Sequence, residues 1–213
     1  IDRNSPFPRE SLKKIDFMND MELMAVPTGA VFIFDIECYI NFFYIAFKCL
    51  ANGKYIAFEQ SADFQLHTTK LQWMLWRFCF VGFNSKNYDI PILCLALKGA
   101  TCAQLKEASN FIIQGGNRPF DFEREYKIKI PKYNHIDLIE VAPLQGSLKL
   151  YAGRLNAKRM QDLPYEHTHI LTRGEAEVVR PYCCNDLDNT ELLCNELGSE
   201  IKLRIEMSED YGV

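Results

Sequence analysis

The chain has 213 residues, of which 48% are hydrophobic and 24% are charged. This composition predicts one globular domain with a real core, and no stretch is apolar and long enough to cross a membrane. The formal net charge of -4 does not by itself indicate a nucleic-acid partner, because binding phosphates usually needs a basic surface. The eight cysteines form no Cys-x-x-Cys pair, which predicts reduced, buried thiols in a cytoplasmic protein, or in the host-cell cytoplasm if the protein is viral.

The first residues differ in character from the rest of the chain. Residues 1–28 are polar and mixed, and the chain starts with Ile1 rather than Met, which suggests a processed product or a piece of a longer protein. We interpret 1–28 as an N-terminal arm or linker with one short helix at 9–15. A single domain is predicted over 29–213.

The domain is predicted to begin with three strands. Residues 30–36 are dense in apolar and β-branched side chains, which favours a buried central strand. Strand-like runs come next at 41–48 and 54–59, and Asn52-Gly53 between them is a strong hairpin signal.

The rest of the chain alternates between helix and strand. Helices are predicted at 68–78, 89–97, 103–113, 147–155 and 175–204, strands at 79–83 and 133–139, a hairpin at 120–131, a loop at 162–172 and a helix break near Gly198. A three-strand meander followed by alternating units predicts an α/β protein with a mixed central sheet and helices on both faces. This order resembles the ribonuclease H-like fold, in which the first strand ends in acidic residues.

Three acidic motifs supply the chemistry. Asp35 and Glu37 are two apart on a strand and so share one face, while Asp89 opens a helix. Tyr182 and Asp186 are four apart on a helix and also share a face. Four carboxylates held together repel one another, and divalent metal ions resolve that repulsion. Each motif alone also has a structural explanation: a strand-end pair, a helix cap, or a half-buried aromatic beside a solvated acid.

The order of the motifs carries a family resemblance. FDIE at 34–37, VGFNSKNYDIPIL at 81–93 and YCCNDLDNTELL at 182–193 resemble the DEDD superfamily of 3′–5′ exonucleases, in the branch with tyrosine in the third motif. The chain is most similar in kind to the proofreading exonuclease domain of a bacteriophage-type DNA polymerase. The resemblance implies hydrolysis from the 3′ end of single-stranded or frayed DNA, such as a primer terminus, in a parent chain that also contains a polymerase domain.

The resemblance also implies roles for individual residues. Asp35, Glu37, Asp89 and Asp186 would hold two Mg²⁺ or Mn²⁺ ions, and Tyr182 would orient the attacking water.

Four further residues are candidates for substrate binding. Asn84 could hold a sugar or phosphate, Tyr39 or Phe83 could stack on a base, and Lys149 could contact the scissile phosphate. Core packing would also explain Tyr39 and Phe83, a helix cap would explain Asn84, and a surface position would explain Lys149. Many relatives have threonine after the first-motif glutamate, whereas Cys38 occupies that position here, which leaves the contact with the terminal nucleotide open.

A basic cluster lies between the second and third motifs. Lys149, Arg154, Lys158 and Arg159 are compatible with either a phosphate-binding strip or a solvated helix face. The sequence leaves these two explanations open.

Two other functions remain alternatives. The same chemistry would serve a 3′–5′ exoribonuclease or an oligoribonuclease-like enzyme, because contact at the sugar 2′ position depends on shape. A catalytically idle ribonuclease H-like module that only binds nucleic acid or a partner protein belongs to a different class. Idle versions typically lose an acid, whereas all four acids and the tyrosine are present in this chain.

Overall fold

A five-stranded mixed sheet lies at the centre of the protein. The computed structural model describes residues 15–143 and 146–211, apart from the side chains of 208 and 209. The strands are β1 (Val31–Tyr39), β2 (Phe42–Cys49), β3 (Tyr55–Gln60), β4 (Cys79–Gly82) and β5 (His135–Asp137). Their order is β3-β2-β1-β4-β5, in which β1 pairs antiparallel with β2 and parallel with β4. The predicted α/β class and mixed sheet are therefore confirmed.

Helices flank this sheet. They are α1 (Asp20–Ala25), α2 (Thr68–Arg77), α3 (Asp89–Leu97), α4 (Cys102–Ile113), α5 (Pro119–Tyr126), α6 (Leu148–Arg154), α7 (Arg173–Glu196) and α8 (Gly198–Tyr211). Apolar side chains form two separate buried clusters, one shared with α2 to α5 and the other with α6 and α7. The predicted break near Gly198 is confirmed, since α7 ends at Glu196 and α8 begins at Gly198.

Strand β1 contributes side chains to both clusters because they alternate between the two faces of the sheet. Phe32 and Phe34 belong to the cluster shared with α2 to α5, whereas Ile33 belongs to the one shared with α6 and α7. Asp35 and Glu37 come after Ile33 in steps of two. The alternation therefore directs both acids towards the face that α7 covers.

The prediction of a hairpin at 120–131 is wrong, because residues Pro119–Tyr126 form helix α5. Apolar and polar residues do alternate there, but Pro119 lies in the first helical turn, where its ring fixes a φ suited to a helix. Proline has no backbone N–H, but at this position an N–H would have no partner within the helix, so nothing is lost. Phe122 is fully buried and its ring packs on that of Tyr126, with centroids 4.5 Å apart. This pair spaced by four residues gives the segment its buried helical face.

The described part of the predicted arm packs against the sheet. The Met18 N–H donates to the Tyr55 carbonyl at 2.8 Å, and Leu23 on α1 is buried. The helix predicted at 9–15 falls, except for its last residue, outside the described residues. The strand predicted at 133–139 is shorter than expected, because β5 passes at Leu138 into a 3₁₀ turn.

Two simpler expectations concern membranes and thiols. Across residues 15–143 and 146–211, the structure contains no helix that combines the length and the hydrophobicity needed to span a bilayer. All eight cysteines are free, and seven of them are buried.

Candidate active site

The centre of the site is the C-terminal half of β1. One oxygen from each carboxyl group of Asp35 and Glu37 and the Sγ of Cys183 all lie within 4.8 Å of one another. The Cys183 thiol points at Asp35, with its Sγ 3.7 Å from the backbone oxygen and 4.0 Å from Oδ2. The third motif on α7 therefore packs directly on the first motif on β1.

The loop after β4 brings the second motif to the same place. At Gly82 any Cβ would lie 2.4 Å from the Ser85 hydroxyl oxygen, so this tight approach requires glycine. Asn84 adopts a left-handed φ of 55°, which asparagine tolerates better than most residues. The chain then turns into α3, whose first residue is Asp89.

Asp89 is 3% exposed, and burial raises its pKa to about 7. Backbone N–H groups of Asp89 itself and of Ile36 hydrogen-bond to the carboxylate and partly offset this rise in pKa. Because Ile36 lies between Asp35 and Glu37, the second contact places Asp89 against the first motif. Its Oδ1 atom is buried and has no hydrogen-bond partner among the described residues.

The third motif supplies Tyr182 and Asp186 from one face of α7. Burial raises the pKa of Asp186 to about 6, although a hydrogen bond from Tyr182, the charge of Lys149 and a hydrogen bond from Asn189 all favour its ionised form. Burial, and then the charges of Asp186 and Glu37, raise the pKa of the Tyr182 hydroxyl. Tyr182 therefore stays protonated at neutral pH.

The acids act on each other as one cluster. Burial is the main cause that raises the pKa of Asp35 and of Glu37 well above the usual range. The charges of Asp89 and Asp186 raise both pKa values further. The charge of Lys149 opposes this rise for Glu37. At neutral pH the four acids therefore cannot all ionise at low cost unless a cation balances their charge.

These residues fit divalent metal ions. Four carboxyl groups offer the hard oxygen ligands that Mg²⁺ and Mn²⁺ prefer. The unpartnered Oδ1 of Asp89 offers one free ligand atom in a buried position. The Cys183 thiol is a poor ligand in this setting, because burial and the charges of Asp35 and Glu37 raise its pKa and keep it protonated.

The structure places the four predicted substrate-binding residues differently. Tyr39 is fully buried and its hydroxyl donates to the Tyr165 carbonyl at 3.2 Å, so its ring presents no face for stacking in this conformation. Phe83 is half-buried, with its ring edge-on to Tyr151 at 6.1 Å. The Asn84 side chain accepts a hydrogen bond from Asn87 at 3.0 Å.

Lys149 is the one of these four whose charge acts on the acids, since it lowers the pKa of Glu37 and of Asp186. Its ammonium group also pairs with Asp162 at 3.0 Å, and its side chain is 44% exposed.

Two neighbours of Asp186 on α7 lie in different surroundings. Cys183 was not expected near the acids, although its position three residues before Asp186 places it on a neighbouring face of α7. Asp188 lies outside the cluster, where it contacts Lys48 at 2.6 Å and also the Tyr55 hydroxyl.

Searches for similar proteins found no match. No protein-family model, no curated protein and no solved structure matches this chain. The function must therefore be inferred from the site itself.

Proposed function

We propose that this protein is a metal-dependent 3′–5′ exonuclease of the proofreading type, built on a ribonuclease H-like fold. Its substrate is the 3′ end of single-stranded or frayed DNA, such as a primer terminus. The proposal extends to a polymerase domain in the same parent chain and to a cytoplasmic location.

One observation carries the proposal. Asp35 and Glu37 on β1, Asp89 on α3, and Tyr182 and Asp186 on α7 come from three distant parts of the sequence, and the charges of Asp89 and Asp186 raise the pKa values of both Asp35 and Glu37. Glu37 and Asp89 are buried and Asp35 and Asp186 are half-buried, and holding four such acids close together is unfavourable without a cation, so a merely structural role does not explain why they converge.

The carboxylates would hold two Mg²⁺ or Mn²⁺ ions. Such ions, when bound, supply Lewis acidity for water activation and for the leaving oxygen of a phosphodiester. Asp35 and Glu37 would supply ligands from β1, Asp89 from the start of α3 and Asp186 from α7. The neutral Tyr182 hydroxyl, already hydrogen-bonded to Asp186, orients a water or a phosphate oxygen above them.

The test is a time course on 5′-labelled single-stranded DNA with Mg²⁺, with Mn²⁺ or with EDTA. We expect a ladder that shortens from the 3′ end, only with metal, and that disappears in Asp35→Asn. Asp20→Asn is the matched control, because this carboxylate is 82% exposed and pairs with Lys70 on α2, so the variant should retain the rate. Undiminished cleavage by Asp35→Asn would overturn the proposal.

The same experiment separates the alternatives. Parallel digestion of an RNA oligomer of the same sequence tests the exoribonuclease alternative, which a clear preference for RNA would establish. An absence of both cleavage and divalent-metal binding, measured by calorimetry, would instead favour an idle nucleic-acid-binding module.

A further inference from the structure

A groove of about 550 Å³ lies beside α7, beginning one residue before Asp186 and continuing towards the end of that helix. Asn185, Asn189 and Asn195 of α7 line one side. Segment 156–159, which comes after α6, lines another. The groove is distinct from the carboxylate cluster but shares its helix.

The floor of the groove contains an unpartnered polar group. Asn185 is 4% exposed, and its amide nitrogen is buried with no acceptor among the described residues. Buried donors without acceptors are rare in folded proteins and require an explanation. A ligand that brings an oxygen acceptor into the groove would provide one.

Three basic and two acidic side chains line the groove, so its net charge is +1. Lys158 and Arg159 are exposed, and neither forms an ion pair within the described part of the chain. The acids that line the groove, Asp188 and Glu191, are both paired with the half-buried ammonium group of Lys48. Lys158 and Arg159 are therefore the two exposed positive side chains that the groove presents to an incoming anion.

The groove is also connected to the acidic cluster. Asn189 lines it and hydrogen-bonds to Asp186. From Lys149, whose charge acts on Glu37 and Asp186, the chain runs through α6 to Lys158 and Arg159.

We infer that this groove binds the phosphodiester backbone of a single strand, on the 5′ side of the nucleotide held at the carboxylates. Lys158 and Arg159 neutralise phosphates, and a phosphate oxygen supplies the acceptor that Asn185 lacks. The inference rests on the proposed function and adds the path of the substrate. It explains how a protein of net negative charge holds a polyanion, because the positive charge is local.

The test measures binding without cleavage. Fluorescence anisotropy of a labelled single-stranded oligonucleotide is recorded in EDTA on the Asp35→Asn chain, with and without Lys158→Ala/Arg159→Ala. Each phosphate contact to a single strand contributes about 0.7 to the slope of log affinity against log salt. Loss of two contacts should make this salt dependence shallower by about 1.4 and weaken binding roughly 25-fold at 0.1 M salt.

Two further variants keep the result interpretable. Lys202→Ala/Arg204→Ala removes the same charge from exposed positions on α8 and should leave the affinity within about twofold of the parent chain. Asn185→Leu removes the unpartnered amide at similar volume. We expect it to weaken binding without lowering the unfolding temperature, because no internal hydrogen bond of that amide nitrogen is lost.

The outcomes separate this inference from the proposed function. If the wild-type chain degrades DNA but Lys158→Ala/Arg159→Ala binds as tightly as its parent or loses no more than the α8 control, the groove is not the path and the exonuclease proposal stands. If the wild-type chain does not degrade DNA yet the groove variant loses affinity selectively, the groove inference stands and the exonuclease proposal fails.

Discussion

Replacing one buried acid should stabilise the metal-free protein. Burial raises the pKa of Asp89 from 3.8 to about 7, which makes its ionised form unfavourable in the folded state. Between these two values the folded chain binds more protons than the unfolded chain, so stability falls as the pH rises. By pH 8 the cost is about 4 kcal/mol, whereas at pH 4 it is about 0.5 kcal/mol. Asp89→Asn removes this cost and keeps an oxygen that can accept the Ile36 N–H.

The assay is urea unfolding followed by tryptophan fluorescence, in EDTA, at both pH values. We expect Asp89→Asn to gain at least ~2 kcal/mol at pH 8 and almost nothing at pH 4, since a new amide must also find partners. Asp16→Asn, whose carboxyl side chain is 72% exposed, should change stability by less than about 0.5 kcal/mol at either pH.

The same unfolding experiment is then repeated with Mg²⁺ in place of EDTA. At a concentration of about 100 times its dissociation constant, Mg²⁺ should stabilise the wild-type chain by about 2.7 kcal/mol. The Asp89→Asn chain, which lacks one ligand, should gain clearly less. Equal stabilisation of both chains by Mg²⁺, or a loss of stability in Asp89→Asn at both pH values, would refute the account of Asp89 as an uncompensated metal ligand.

Three other predictions concern the site and the fold. Tyr182→Phe should slow cleavage roughly 100-fold in the labelled-DNA assay while leaving Mg²⁺ affinity by calorimetry nearly unchanged, because a positioning hydroxyl is lost and no ligand is. At pH 8 the native Cys183 should react with iodoacetamide far more slowly than in urea, as mass spectrometry of the peptide would show, because burial raises the pKa of its thiol. Phe122→Ala should cost about 3–5 kcal/mol in urea unfolding, whereas Phe120→Ala, 70% exposed, should cost less than about 0.5 kcal/mol.

Much of the fold could be predicted because its signals are local. The apolar run of β1, the Asn-Gly turn between β2 and β3, and the break at Gly198 each depend on a few adjacent residues. The segment Pro119–Tyr126 shows where local signals fail. Its alternating pattern favours a strand, but the contacts of Phe122 with Phe111 and Tyr126 stabilise a helix. Contacts of that kind depend on packing and cannot be inferred from spacing alone.

The candidate site likewise has features that spacing predicted and features that depend on packing between distant segments. Spacing predicted that Asp35 and Glu37 share a strand face and that Tyr182 and Asp186 share a helix face. It could not predict that Tyr39 is fully buried with its hydroxyl bonded to Tyr165, because these two residues lie 126 positions apart. Nor could it predict the groove, which forms only where segment 156–159 meets α7.

The position of the acids explains why a stable fold can contain them. Helix α7 is fixed by apolar residues such as Val179 and Leu187, which are fully buried on the same face of the sheet as Ile33. This packing holds Asp186 near Glu37 despite their repulsion, because leaving the site would expose the apolar contacts around it. The cluster is therefore preorganised before any metal arrives. If the proposed metal ions bind, their binding energy stabilises the folded state directly and is not spent on assembling the ligands.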